Sequence, residues 1–135
     1  MNNQLLIKLD NLVEGTVIKR PSKFIKSPYV ADVIPIGLND EVVKNEVLAH
    51  TASLGCCGLA DTNATILMSL VPTPKSKSKN KDVDKLKCEY RVYLSVLREK
   101  NVEIIIGIHP KLAEELTETA LKSNYLSKLQ NIQSY

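Results

Sequence analysis

The sequence predicts a small, mainly antiparallel β-barrel followed by one C-terminal helix. Three observations carry that expectation. Short β-like runs recur through the first part of the chain, each closed by proline, glycine or charge. Residues 87–97 alternate, with Cys88, Tyr90, Val92, Leu94 and Val96 on one face and Lys87, Glu89, Arg91, Tyr93 and Ser95 on the other. Pro110 then opens a segment in which Leu112, Leu116 and Ala120 fall four apart. The 135 residues give room for one ordinary domain, and 44% hydrophobic content supports a packed core.

The elements follow in order. Residues 14–20 are rich in β-branched side chains and end in charge, which reads as a strand. Residues 29–36 form the next, with Val30, Val33 and Ile34, and stop at Pro35 and Gly37. Leu38, Asn39 and Asp40 look like a turn. Residues 41–49 hold Val42, Val43, Val47 and Leu48, a third strand with an irregular middle. Residues 64–71 are a short apolar run closed by Pro72 and Pro74, as suits a buried strand. In residues 73–86, Lys75, Lys77, Lys79 and Lys81 alternate with Ser and Asn. That stretch cannot bury apolar area and is expected to be a mobile loop.

Residues 102–108 follow the alternating strand after a charged turn, Arg98 to Asn101, and should pair with it as an antiparallel hairpin. In the helix, Ala113 and Leu121 widen the apolar stripe. Glu114 and Glu115 sit towards the positive end of the helix dipole and Lys122 towards the negative end. The sum is five or six strands over residues 1–109, with residues 110–135 as helix and linker of the same domain. A closed barrel removes exposed strand edges, so an OB-like barrel leads and an SH3-like barrel is the alternative.

Composition narrows the function classes. A net charge of +3 is too small for an evenly basic coat, so any polyanion site must come from local clustering. One Phe and no Trp limit stacking to Phe24 and a few tyrosines. The three cysteines, Cys56, Cys57 and Cys88, include an adjacent pair. That argues against a disulfide framework and for three core thiols in a reducing, intracellular compartment. Cys56 and Cys57 lack a metal-ligand spacer, and His50 and His109 are isolated, so neither metal nor cofactor is expected. No run approaches the roughly 20 apolar residues of a membrane span, which leads to a soluble protein.

The chemistry concentrates in residues 15–33, GTVIKRPSKFIKSPYVADV. Lys19, Arg20, Lys23 and Lys26 are interleaved with Phe24 and Tyr29, and no acid appears before Asp32. Cations neutralise phosphates and rings stack on bases, so this pattern fits DNA or RNA; it also fits a solvated hairpin with Phe24 in the core. A second polar stretch, residues 50–58, contributes His50, Thr51 and Ser53 to one end of the same surface. His50 beside two hydroxyls invites a nucleophile reading. No acid stands at a recognisable spacing to orient it, so backbone or phosphate contact is favoured over catalysis. Gly55 and Gly58 match neither phosphate-loop fingerprint and read as a tight turn; His109 reads as a helix cap.

In their order these motifs resemble the sugar fermentation stimulation protein family. That family runs a strand into Arg-x-x-[Arg/Lys]-Phe, then an Ala-Asp-Val strand. Here these are Arg20-Pro21-Ser22-Lys23-Phe24 and Ala31-Asp32-Val33. The family's histidine segment matches Ala49-His50 to Gly55; its later strand, corner and helix match Ile104 to Ile108, His109-Pro110 and Leu112 to Leu121, and a closing Gly-Tyr matches Ser134-Tyr135. The resemblance implies an OB-like N-terminal domain linked to DNA binding, which in the family precedes a domain resembling restriction-type nucleases. It implies no catalytic centre in this part. The alternative is a domain that scaffolds such a partner or presents its substrate. Two departures stand out. Thr51-Ala52-Ser53-Leu54 replaces the family's Cys-Pro-Asn-Thr, and Lys23 keeps charge but not the planar fork of arginine. Ser27 and Pro28 also lengthen the loop before the second strand.

Overall fold

The computed structural model describes residues 4–37, 45–72 and 88–129. Six strands and one helix are β1 (Val13–Lys19), β2 (Val30–Ile36), β3 (Val47–Thr51), β4 (Thr65–Leu70), β5 (Tyr90–Glu99), β6 (Val102–Gly107) and α1 (Pro110–Lys122). A short 3₁₀ turn follows at Ser127–Leu129. The turn expected at residues 38–40, the first part of the expected third strand and the lysine-rich loop lie outside the described residues. β3 runs Val47–Thr51 and carries His50 and Thr51 on the strand itself.

The sheet order is β3-β2-β1-β4-β5-β6, and β3 also pairs with β5. The first five strands thus close a ring, β1-β2-β3-β5-β4. All neighbours are antiparallel except the closing β3–β5 pair, which is parallel. Along the edge away from β4, β5 serves two partners in turn. Residues Tyr90 to Val92 pair with β3, and Leu94 to Glu99 pair with β6. Between them Tyr93 is an extra residue, since Leu67 and Met68 face Leu94 and Val92. A bulge adds one unpaired residue and bends the strand, which here passes from the ring into a hairpin.

That bulge corrects the predicted faces of β5. Tyr90, Val92 and Val96 of the expected apolar face are buried, but Ser95, expected on the other face, is buried as well. Its hydroxyl donates to the Leu59 carbonyl at 2.7 Å and so fastens the segment between β3 and β4. The hairpin turn is also narrower than expected. Arg98 and Glu99 remain in β5, and Lys100 and Asn101, both at positive φ, make a two-residue turn.

The barrel interior is filled by Val17, Ala31, Val33, Val47, Ala49, Ile66, Met68 and Val92, with Ala60, Tyr90 and Ile108 closing it. Gly15 sits where β1 crosses this interior. A Cβ there would lie 2.6 Å from Val33 Cγ1 and 3.0 Å from Met68 Cε, so the position has no room for a side chain.

Helix α1 starts where Pro110 predicts, with His109 as its N-cap. The apolar stripe is only partly covered. Ala120 is buried and Leu112 and Leu121 are half-buried, but Leu116 is 44% exposed. Glu114 and Glu115 fall one turn too late to meet the helix dipole, as the first turn contains no acid. Lys122 does occupy the last turn, paired with Glu118 at 2.6 Å. Cys56, Cys57 and Cys88 are free thiols. Cys57 is exposed in the 55–58 turn rather than in the core, while partial burial raises the Cys88 pKa. Among the described residues no helix is long and apolar enough to cross a membrane.

Candidate nucleic-acid interface

The β1–β2 loop is built on Asp32. This carboxylate is completely buried on β2 and accepts a hydrogen bond from Ser22 Oγ and another, at 3.0 Å, from the Lys23 backbone N–H. Ser22 Oγ in turn accepts the N–H groups of Phe24 (3.0 Å) and Ile25 (3.3 Å). Four residues are therefore tied to one buried acid, which lies ten residues from Ser22 in sequence. Ser22 N–H also donates to the Val30 carbonyl at 2.8 Å, closing the loop at its base. The two motifs read separately in sequence are one structural unit.

Arg20 braces the other side. Its Nε–H donates to the Pro28 carbonyl at 2.7 Å, and a terminal N–H donates to the Ser53 carbonyl. The guanidinium thus joins both ends of the loop to the segment after β3. Of the residues expected to meet phosphate, Arg20 commits two of its donors to backbone carbonyls. Lys23 is partly committed as well. Its ammonium bonds Glu46, which raises its pKa, and stands 5.1 Å from the centre of the Phe24 ring. Lys19 and Lys26 are exposed and have no ion-pair partner among the described residues.

The rings expected to stack are at the surface. Phe24 is 57% exposed, which removes the reading that placed it in the core. Tyr29 is exposed and stacks on His50, with ring centres 6.1 Å apart and planes 14° from parallel. His50 is half-buried on β3. Burial first, and then the charge of Arg91, lower its pKa. Thr51 leaves the surface set, because it is 1% exposed and points inward, its Oγ1 buried with no hydrogen-bond partner among the described residues. Ser53 is half-buried and contributes its carbonyl, to Arg20, rather than its hydroxyl.

Two further groups join this surface that the sequence reading did not assign. Arg91 on β5 stands opposite His50 in the parallel register. His109 stacks on Tyr93, with centres 4.9 Å apart and planes at 30°. Its Nδ1 accepts the Leu112 N–H at 3.2 Å, so its proton resides on Nε2. Burial and the Arg91 charge lower the His109 pKa also. The alternation at residues 87–97 puts Arg91 and Tyr93 on an outer face, but only the β3–β5 pairing brings them to His50. Among the described residues no three of His, Cys, Asp or Glu converge as metal ligands.

A five-stranded ring closed by a parallel β3–β5 pair, with a hairpin and a helix appended, defines a small OB-like barrel domain. No family model matches the sequence. The chain is similar to the sugar fermentation stimulation protein homolog of Prochlorococcus marinus strain MIT 9312, 30% identical over 129 residues. It is likewise 31% identical over 128 residues to the homolog of strain MIT 9301. Each match covers 94% of this chain but 44% of the relative, so the chain spans less than half the length of these proteins. This is the resemblance the motifs carried, and it fits the N-terminal domain of that family.

Proposed function

We propose that this domain binds nucleic acid through phosphate contacts and ring stacking, without sequence preference. The observation that carries the reading is the β1–β2 loop. It holds Phe24 and Tyr29 at the surface beside Lys19, Lys23 and Lys26, and the buried Asp32 fixes its backbone. In OB-like barrels this loop and the adjoining face of strands 2 and 3 commonly take oligonucleotides. DNA is the favoured polymer in view of the family resemblance.

The test is a titration of single- and double-stranded DNA and RNA at two salt concentrations. Neutralising three or four phosphates gives a slope of log affinity against log salt of about −2 to −4. Absence of binding at low salt removes the reading.

A second reading is a domain that scaffolds a partner domain or presents its substrate. What favours it is aliphatic rather than charged surface. β6 exposes Val102, Ile104 and Ile105, and a groove of about 350 Å³ runs between Leu94, Ile108, Leu112 and Leu116. Aliphatic patches suit protein contact better than phosphate.

A further inference from the structure

The geometry points to Arg91 as a phosphate-binding centre which, with His50, His109 and the rings of Tyr29 and Tyr93, continues the loop surface across the β3–β5 seam and selects single-stranded nucleic acid. This rests on the nucleic-acid reading above and adds to it a strand form and residues outside the loop.

The charge argument comes first. Arg91 is exposed and, among the described residues, makes no ion pair and no side-chain hydrogen bond. Arg20 and Arg98 differ in this respect. Arg20 is held by carbonyls, and Arg98 bonds both Glu14 and Glu103. The groups that feel its charge are two imidazoles, His50 and His109, while Glu89 lies two residues along the same face and Glu115 acts on His109 from α1. A guanidinium flanked by imidazoles repels a cation and lacks the anion its fork would bind. His109 adds a donor, since its Nε2 carries the proton while Nδ1 caps α1.

The rings decide the strand form. Tyr29 with His50, and Tyr93 with His109, form two stacked pairs that meet the same cation. An aromatic pair offers a flat face to a base only if that base is unpaired, because a duplex keeps its base faces inside its own stack. Phe24 provides a third exposed ring on the loop. Lys26 lies between Phe24 and Tyr29 in sequence, and Arg91 stands opposite the His50 on which Tyr29 stacks, an order that suits the base and phosphate repeat of a single strand.

Proton uptake follows from the same arrangement. His50 is faced by Tyr29 from the loop and by Arg91 from β5. His109 is faced by Tyr93 and Arg91 from β5, Glu115 from α1, and His50 from β3. A phosphate on Arg91 offsets the charge that disfavours both imidazolium forms. Both histidines then bind protons more readily in the complex than in the free domain.

The experiment uses the full chain and a labelled oligothymidine of about 15 nucleotides, with the matching duplex, at roughly 50 and 200 mM salt. The proteins are wild type, Arg91→Gln and a Lys19→Ala/Lys26→Ala double variant. Since Arg91 has no ion-pair or side-chain hydrogen-bond partner among the described residues, Arg91→Gln should keep the wild-type melting temperature. The expected result is tighter binding of the single strand, weakened roughly tenfold by Arg91→Gln with a salt slope flatter by about 0.7. The imidazole resonances of His50 and His109 should titrate at higher pH in the saturated complex. Equal binding of both strand forms overturns the inference, as do histidine titrations unmoved by the oligonucleotide. Wild-type binding by Arg91→Gln alongside weakened binding by the lysine variant also overturns it, and leaves the loop reading standing. The reverse pattern keeps the seam site and removes the loop. Absence of all binding at the lower salt removes both.

Discussion

The β1–β2 loop and the β5–β6 hairpin with α1 both expose apolar side chains, but they do so in opposite ways. The loop is anchored from beneath by a buried acid and braced by Arg20, and what it exposes is aromatic and set among cations. The hairpin extends beyond the ring, and what it exposes is aliphatic: Val102, Ile104 and Ile105, with Leu116 on the helix after it. Exposed apolar area is therefore not one kind of evidence. Rings held rigidly beside lysines suit a polyanion with flat bases, whereas aliphatic surface on an edge strand suits another protein surface.

The largest expected effect tests the anchor. Asp32→Ala leaves Ser22 Oγ and the Lys23 N–H unpaired in a buried place, at a cost of about 2–4 kcal/mol. Urea unfolding of the variant measures it. Loss of less than about 0.5 kcal/mol would show that the loop is no better anchored than the hairpin.

Arg20 and Lys26 sharpen the comparison within the loop itself. Arg20→Ala removes two hydrogen bonds to carbonyls from a charged donor and should lower stability by about 1–3 kcal/mol. Lys26→Ala should leave stability unchanged and flatten the salt slope of oligonucleotide binding by about 0.7–0.9. If Arg20→Ala flattens the slope at full stability, then Arg20 touches phosphate rather than bracing the loop.

Acid should act on both regions, because His50 abuts the loop and His109 caps α1. Both pKa values are lowered from 6.5 by burial and then by Arg91. The unfolded chain therefore binds more protons at these sites as the pH drops past 6.5. Stability should be full above that pH and decline as pH falls towards the lower folded-state values. A His50→Gln/His109→Gln double variant should lose that part of the decline in urea unfolding measured from about pH 8 to pH 5. An unchanged profile would mean that neither histidine is disfavoured as a cation in the fold.

The smallest effect lies on the hairpin. Val102→Thr with Ile104→Thr should change stability by less than about 0.5 kcal/mol, since both side chains are already exposed. Oligonucleotide affinity should not move. A large drop in unfolding free energy would mean that this face is covered in the folded protein.

The strands and the helix start were legible because each rests on a local pattern: β-branched runs with clear stops in β1 and β2, alternation in β5, an apolar run in β4, and Pro110 at the helix start. What was not legible depends on partners distant in sequence. The reset at Tyr93 arises because β5 changes partners there. Counting charges placed Arg20 among the phosphate contacts, but a count cannot tell whether a guanidinium faces solvent or turns to carbonyls. Thr51 was read from its neighbour His50, yet adjacent residues on a strand face opposite sides. The helix stripe showed which side of α1 is apolar and not how little of it would be covered. Arg91 stood in plain view on the alternating strand, and only the parallel seam brings His50 opposite it.

That seam also orders events in time. The β1–β2 loop is nearly local, joining consecutive strands, so it can form early in folding. The β3–β5 pair unites Ala49–Thr51 with Tyr90–Val92 across the whole middle of the chain, and closing so long a loop is entropically slow. A chain with its hairpins formed but its seam open would own both ring pairs, Tyr29–His50 beside β2–β3 and Tyr93–His109 beside β5–β6, and yet not bring His50 opposite Arg91. The β1–β4 pair joins residues still farther apart, so the seam is one of two long-range closures, and capture of a single strand across it reports a closed barrel that a half-made one would not match.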